Sequence, residues 1–210
     1  MGHGTQRAVR VMGRQVVLAT HNPHKVEEFQ TIVAATRPDL ELIGYDGPEP
    51  VEDGVTFAEN ALIKARAAAA HTGRPAFADD SGVCVDVLGG SPGVFSAYWA
   101  GHAKDPVANR RLLLDQISDI ADPHRTAQFV SVIALVHPDG TERVVEGVWP
   151  GRIAPDERGD GGFGYDPVFI PDGQDQASER TVGEWTDAEK SARSHRAIAV
   201  RELGPLLADL

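Results

Sequence analysis

The chain has 210 residues, of which 41% are hydrophobic and 24% charged, and its formal net charge is −11. That is enough apolar material for one substantial core, and no apolar run is long enough to span a membrane as a helix. So negative a chain repels phosphate polymers at long range, which argues against DNA or RNA as a partner. A small anionic ligand can still be held by local lysines, backbone N–H groups or a bridging divalent cation.

The single cysteine, Cys84, excludes an intrachain disulfide and fits a reducing compartment. The N-terminus lacks the apolar core of a signal peptide, so the expected location is cytoplasmic. Met1 to Arg14 is polar, basic and glycine-containing and reads as a disordered extension, leaving 15–210 as one domain.

In chain order, Gln15 to Thr20 is a short valine-rich apolar run and predicts a buried strand. After a polar turn, Lys25 to Ala35 places Val26, Phe29, Ile32 and Val33 at helical spacing. Leu40 to Ile43 predicts a second strand, followed by an acidic loop rich in proline and glycine. Thr56 with Glu59 fits a capping box opening a long helix that stops near Gly73 and Pro75. Ala76 to Asp79 and Val83 to Val87 read as two short strands flanking Asp80-Ser81-Gly82, and Pro106 to Ile117 as an amphipathic helix. Ala127 to Val136 and Glu142 to Trp149 predict a strand pair joined at Pro138-Asp139-Gly140. Val168 to Ile170 is a further strand, Thr186 with Glu189 a second capping-box candidate, and Ser194 to Leu207 a closing helix. Early alternation followed by a β-pair predicts a mixed α/β sheet with helices on both faces.

Five segments carry candidate chemistry. Thr20-His21-Asn22-Pro23-His24-Lys25 lies between a strand and a helix, where free backbone N–H groups and the helix dipole favour phosphate; the alternative is a plain helix cap with a solvated lysine. Asp79-Asp80-Ser81 sets two carboxylates side by side, which is costly without a cation nearby. Strand alternation would point them opposite ways, one toward a magnesium ion and the other toward a lysine; an Asx-type turn is the alternative. Glu52 precedes the long helix and can reach the same cation as Asp80, while Asn60 and Lys64 share one face of that helix; a solvated, capped helix is the alternative. In Gly161 to Pro167, glycines around Phe163 and Tyr165 permit close approach of a flat base, with Asp166 as an acceptor from its ring nitrogens, unless the aromatics simply join the core. Lys190 to Arg196 puts His195 and Arg196 in a first helical turn, where cations oppose the dipole unless a ligand compensates them; an exposed basic turn is the alternative. No histidine pattern has zinc-ligand spacing and no Walker motif is present.

The stretches VVLATHNPHKVEEF, GVTFAENALIKA, ADDSGVCVDVLGGSPGVFSA, GGFGYDPVF and EKSARSHR, in this order and spacing, resemble the inosine triphosphate pyrophosphatase family, also called dITP/XTP pyrophosphatases. The resemblance implies an α/β fold with a long central mixed sheet, two lobes with a substrate cleft between them, and a homodimer. It also implies Mg²⁺-dependent cleavage of ITP, dITP or XTP to the monophosphate and pyrophosphate, cleansing the nucleotide pool. By the same resemblance Thr20 to Lys25, with Lys64 nearby, would hold the triphosphate. Asp80 would bind the metal and activate water, with Glu52 as a second metal ligand, Asp79 in support and Ser81 on the substrate. Phe163, Gly164, Tyr165, Asp166, Lys190, His195 and Arg196 would form the base pocket. The chain departs from the family at His24, where glycine is usual, and at Val51-Glu52-Asp53, where paired glutamates are common. Three other readings of the sequence are a pyrophosphatase for modified pyrimidines, a non-catalytic nucleotide-binding regulator and a structural interaction protein.

Overall fold

The computed structural model describes residues 14–209; the expected N-terminal extension lies outside the described residues, except that Arg14 already belongs to the first strand. Six strands form one mixed sheet: β1 (Arg14–Leu18), β2 (Leu40–Gly44), β3 (Ala76–Val85), β4 (Thr126–Val136), β5 (Glu142–Ile153) and β6 (Phe169–Pro171), in the order β2-β1-β3-β4-β5-β6. β1 runs parallel to β2 and β3, and the remaining pairings are antiparallel. Five α-helices surround it: α1 (Pro23–Thr36), α2 (Phe57–Thr72), α3 (Pro106–Gln116), α4 (Asp187–Arg193) and α5 (His195–Leu203).

The helix boundaries follow from local chemistry. Thr56 and Glu59 form the expected capping box of α2, and Gly73 ends it in the left-handed conformation. Thr186 and Glu189 do the same at the start of α4. The alanines of α2 pack flat against one sheet face, with Val17, Ala76, Ala78 and Val132. α1 and α5 cover the opposite face, with Val16, Leu18, Phe77 and Ile133. A third cluster, built on Val83, Phe129, Trp149, Phe169 and Trp185, fills the far end of the sheet. Helices therefore lie on both faces, as expected.

One element departs from expectation. Ala76 to Val85 is a single strand, not two strands about a turn at Asp80-Ser81-Gly82. The local composition suggests a turn, but an unbroken antiparallel ladder to β4, from Ala76↔Val136 to Val85↔Ala127, prevails. Gly82 serves a different purpose: a Cβ there would sit 2.3 Å from Ser96 Oγ and 2.5 Å from Gly93 O. Its absence lets the 3-10 helix Gly93–Tyr98 lie directly on the strand.

β1 pairs with β3 only at Ala76 and Phe77. Beyond them β3 has lost its neighbour on that side, so Asp79, Asp80 and Ser81 lie on an open edge, just past the carboxyl end of β1. The chain leaves β1 through α1 on one face to reach β2, and returns through α2 on the other face to reach β3. Such a switch point, at the carboxyl ends of parallel strands, is where open α/β sheets form binding crevices.

Candidate active site

β1 stops at Leu18, and Ala19 N donates to Phe77 O at 2.8 Å, fixing the start of the turn on the sheet. Asn22 then caps α1, its side-chain oxygen accepting from His24 N and Lys25 N, with Pro23 in the first helical turn. Asn22 N donates in turn to Thr20 Oγ1 at 3.2 Å. The N–H groups of Asn22, His24 and Lys25 are thus used within the turn, which leaves the hydroxyl hydrogen of Thr20 and the amide N–H₂ of Asn22 as its side-chain donors. His24, at the position where glycine was expected, stacks on Phe163, with ring centroids 5.5 Å apart. Lys25 points inward and meets Asp79 Oδ2 at 2.8 Å.

Strand alternation separates the two aspartates. Asp79 shares the α1/α5 face with Phe77 and Ile133; Asp80 shares the α2 face with Ala78 and Val132. Asp79 is 2% exposed and accepts from Ser131 Oγ at 2.6 Å, Ser81 Oγ at 2.9 Å and Arg196 Nε at 3.3 Å. Burial alone would raise its pKa, but Lys25 and Arg196 outweigh it and hold the carboxyl far below the usual carboxylate range. Asp80 meets Lys64 Nζ at 2.9 Å, and the same ammonium meets Glu52 Oε2 at 2.8 Å. For Asp80 burial wins, and its pKa is raised despite the lysine. Lys64 loses by burial and gains more from Asp80 and Glu52, so its pKa is raised and it stays charged.

The loop Gly161 to Pro167 is tied down by Asp166, whose Oδ2 accepts from Phe163 N at 2.7 Å and from Lys190 Nζ at 2.8 Å. Its Oδ2 is thus engaged by its own loop and by Lys190, while the residue, 2% exposed, still lines the cleft. Tyr165 is buried and donates to Ser96 O at 2.9 Å, joining the loop to the Gly93–Tyr98 segment. Lys190 Nζ and Arg196 stand 4.3 Å and 5.3 Å from the Phe163 ring centre. An exposed basic turn is ruled out, because Lys190, His195 and Arg196 are all buried. Two of these cations already have protein carboxylate against them: Arg196 meets Glu28 Oε2 at 2.8 Å and Lys190 meets Glu28 Oε1 at 3.6 Å. His195 stacks on Phe129, and its Nδ1 is buried without a hydrogen-bond partner. Burial and the neighbouring Arg196 push its pKa well below the ordinary value, so the ring is neutral.

These groups surround one cleft of about 700 Å³. Every site residue expected from the sequence lines it except Pro23 and Asp79; Asp79 is buried behind Ser81 as the hub of the ion pairs. Several residues of the site escaped the sequence reading. Glu28 carries one visible signal: it is a carboxylate next to Phe29 on the inward side of α1. Asn109, buried and bonded to Ser96 O, Ala97 O and Ala100 N, holds the opposite wall, and no local pattern marks it.

Carboxylates offset most of the positive charge around the cleft: Lys25, Lys64, Lys104, Lys190 and Arg196 face Glu49, Glu52, Asp80 and Asp166, with Asp79 and Glu28 directly behind. Among the described residues no group of three or more His, Cys, Asp or Glu gathers as a self-sufficient metal cage. The convergence of Asp80 and Glu52 on one ammonium does fit an ion that takes one or two protein carboxylates and completes its shell with phosphate and water, as Mg²⁺ does.

The sequence profile of the Ham1 family matches residues 16–206. A dITP/XTP pyrophosphatase of Leifsonia xyli subsp. xyli is 58% identical over 193 residues, covering 92% of this chain and 95% of that protein. One from Streptomyces coelicolor is 52% identical over 200 residues, covering 93% and 98%. Among solved structures, a HAM1 protein from Coxiella burnetii matches with a TM-score of 0.80 at 37% identity, over 93% of this chain and 99% of that one. A nucleoside-triphosphatase, dITP/XTP pyrophosphatase, from Mycobacterium abscessus matches with 0.71 at 46% identity, over 92% and 98%. With the profile spanning all but the ends, and relatives more than half identical along nine-tenths of its length, the chain belongs to the Ham1 family.

Proposed function

We propose that this cleft hydrolyses the non-standard purine nucleoside triphosphates ITP, dITP and XTP to the monophosphate and pyrophosphate, removing them from the nucleotide pool. One cleft lined at once by the turn after β1, by Asp80 and by the Phe163 loop carries this reading. It joins a phosphate end, a desolvated carboxylate and an aromatic face in the order a nucleotide needs them. Relatives more than half identical are named dITP/XTP pyrophosphatases, which agrees with it.

Asp80 and Glu52 would hold a Mg²⁺ ion, which when bound supplies the positive charge that a cleft of mostly paired cations lacks toward a triphosphate. The remaining work falls to the chain. Asp80, its basicity raised by burial, takes a proton from the water that attacks the α-phosphorus, and the bond to the bridging oxygen of the pyrophosphate breaks. Lys64 keeps Asp80 oriented and offers charge to the phosphates. Asp79 fixes Lys25 and Arg196 in place. The purine packs beside the Phe163–His24 stack, where Lys190 and Arg196 keep N–H groups beyond those taken by their carboxylate partners. A 6-oxygen accepts from such donors, whereas the amino group of adenine leaves them unpaired. A homodimer acting in the cytoplasm completes the proposal; no helix of the described residues is long and apolar enough to cross a membrane.

The test is pyrophosphate release from ITP, dITP, XTP, ATP and GTP, with and without Mg²⁺. The first three should exceed ATP by roughly a hundredfold or more in kcat/KM. ATP as the best substrate, or orthophosphate as the product, defeats the proposal.

A further inference from the structure

The cleft has a wall that the proposed chemistry does not use and that reaches beyond the motif ending at Ala97. It is built by the Gly93–Tyr98 segment, the loop after it and the first turn of α3, and it brings His102 and Lys104 to the same cavity as Asp80 and the Thr20–Lys25 turn. We propose that Lys104 is a substrate-binding residue that grips the phosphate chain from this wall. The inference rests on the triphosphate reading of the cleft and adds to it a residue outside the segments that carry the family resemblance.

Two independent observations support it. The first is charge. Lys25, Lys64, Lys190 and Arg196 each already contact a protein carboxylate at 2.8 Å to 2.9 Å. Each therefore spends much of its field on a partner that is present before any ligand arrives. Among the described residues lining the cleft, Lys104 is the one lysine or arginine with no carboxylate partner. An incoming polyphosphate gains most from the cation that is not yet neutralised, particularly in a cleft where the other cations are paired.

The second is backbone. Lys104 has φ 54°, and it is the one non-glycine residue with positive φ among those described. A lysine has no conformational reason to choose the left-handed region, so the surroundings must impose it. They do so visibly. Lys104 N donates to Gly101 O, and Asp105 immediately follows as the cap of α3. Asn109, 3% exposed, anchors the other end of the loop by accepting from Ala100 N at 2.7 Å. The ammonium is thus mounted on a loop fixed at both ends, which limits the entropy lost when it meets a phosphate.

The experiment uses the full chain with Mg²⁺ and compares Lys104→Gln, Lys104→Arg and Lys104→Gly. It reads KM and kcat for ITP, and Ki for inorganic pyrophosphate and for inosine. One charge-assisted phosphate contact corresponds to roughly a tenfold change. In Lys104→Gln, KM for ITP and Ki for pyrophosphate should each rise about tenfold, with kcat within about twofold and Ki for inosine unchanged. Lys104→Arg should retain most of the affinity. Lys104→Gly relieves the left-handed backbone, so it should melt no lower than the parent yet show the full loss of pyrophosphate affinity. That combination separates the charge from any role in holding the loop. Unchanged KM and pyrophosphate Ki in Lys104→Gln overturn the inference, as does a weakening that affects inosine equally. Should the parent chain release pyrophosphate from no triphosphate, the reading of the cleft fails by itself. Calorimetric binding of pyrophosphate to parent and Lys104→Gln then decides Lys104 separately, equal affinities counting against it.

Discussion

Asp79 and Asp80 are adjacent in sequence but sit in opposite electrostatic surroundings. Asp79 has Lys25 and Arg196 against it and is ionised far into acid; Asp80 is desolvated more than it is paired, and its pKa is raised. An acceptor of a proton near neutrality is better served by the second condition. If Asp80 is the base as proposed, Asp80→Asn keeps the shape and removes it, so kcat should fall roughly 10²–10⁴-fold with the melting temperature little changed; near-normal turnover would take Asp80 out of the mechanism. At His195 the expected effect is on stability. The folded chain holds this ring neutral, whereas the unfolded chain binds a proton near pH 6.5. The unfolded state then carries the extra proton, so stability drops as pH falls below that value, by up to about 1.4 kcal/mol per pH unit. Urea midpoints between neutral and mildly acidic pH should show a shallower slope in His195→Gln; an unaltered slope would mean the ring is not the group refusing the proton.

Among the elements, α5 owes its position to a missing side chain. A Cβ at Gly147 on β5 would lie 2.1 Å from His195 O and 2.5 Å from Ala199 N, both backbone atoms of α5. Nothing there is the soft end of a side chain, so the helix as a whole must retreat. Because α5 carries His195 and Arg196 into the cleft, Gly147→Ala should cost about 1–3 kcal/mol in stability and raise KM for ITP as well. A denaturation curve and a KM measured on the same variant check this; a destabilised variant with unchanged KM would show that the helix shift does not reach the site. α1 couples the two ends of the cleft in a similar way. Its first turn carries His24 and Lys25, and one turn further on Glu28 holds Arg196 and Lys190.

Taken as a whole, the molecule places a cleft whose cations are mostly paired with carboxylates at the point where a polyanion is expected to bind. A divalent ion resolves that conflict, and it is not needed for folding, because Lys64 already satisfies both Asp80 and Glu52. Chelation should therefore abolish turnover, by roughly a hundredfold or more, without lowering the melting temperature, and added Mg²⁺ should restore it. Full activity after exhaustive chelation would exclude the ion from the reaction.

The amino-acid sequence by itself determined the α/β order, both capping boxes of α2 and α4, the helices on both sheet faces and the segments that meet in the cleft. These are properties of hydrophobic period, of side chains bonding the nearest backbone, and of motifs whose spacing is kept. It did not determine that β3 runs unbroken through Asp80-Ser81-Gly82, because the ladder to β4 that overrides the turn-like composition comes from residues some fifty positions away. Nor did it reveal Glu28 as the shared counter-ion of Lys190 and Arg196, or Lys104 as the cleft cation left without one. Which charge finds a partner depends on distances across the folded chain and on which groups lose water together, and those exist only once the sheet has closed around its core.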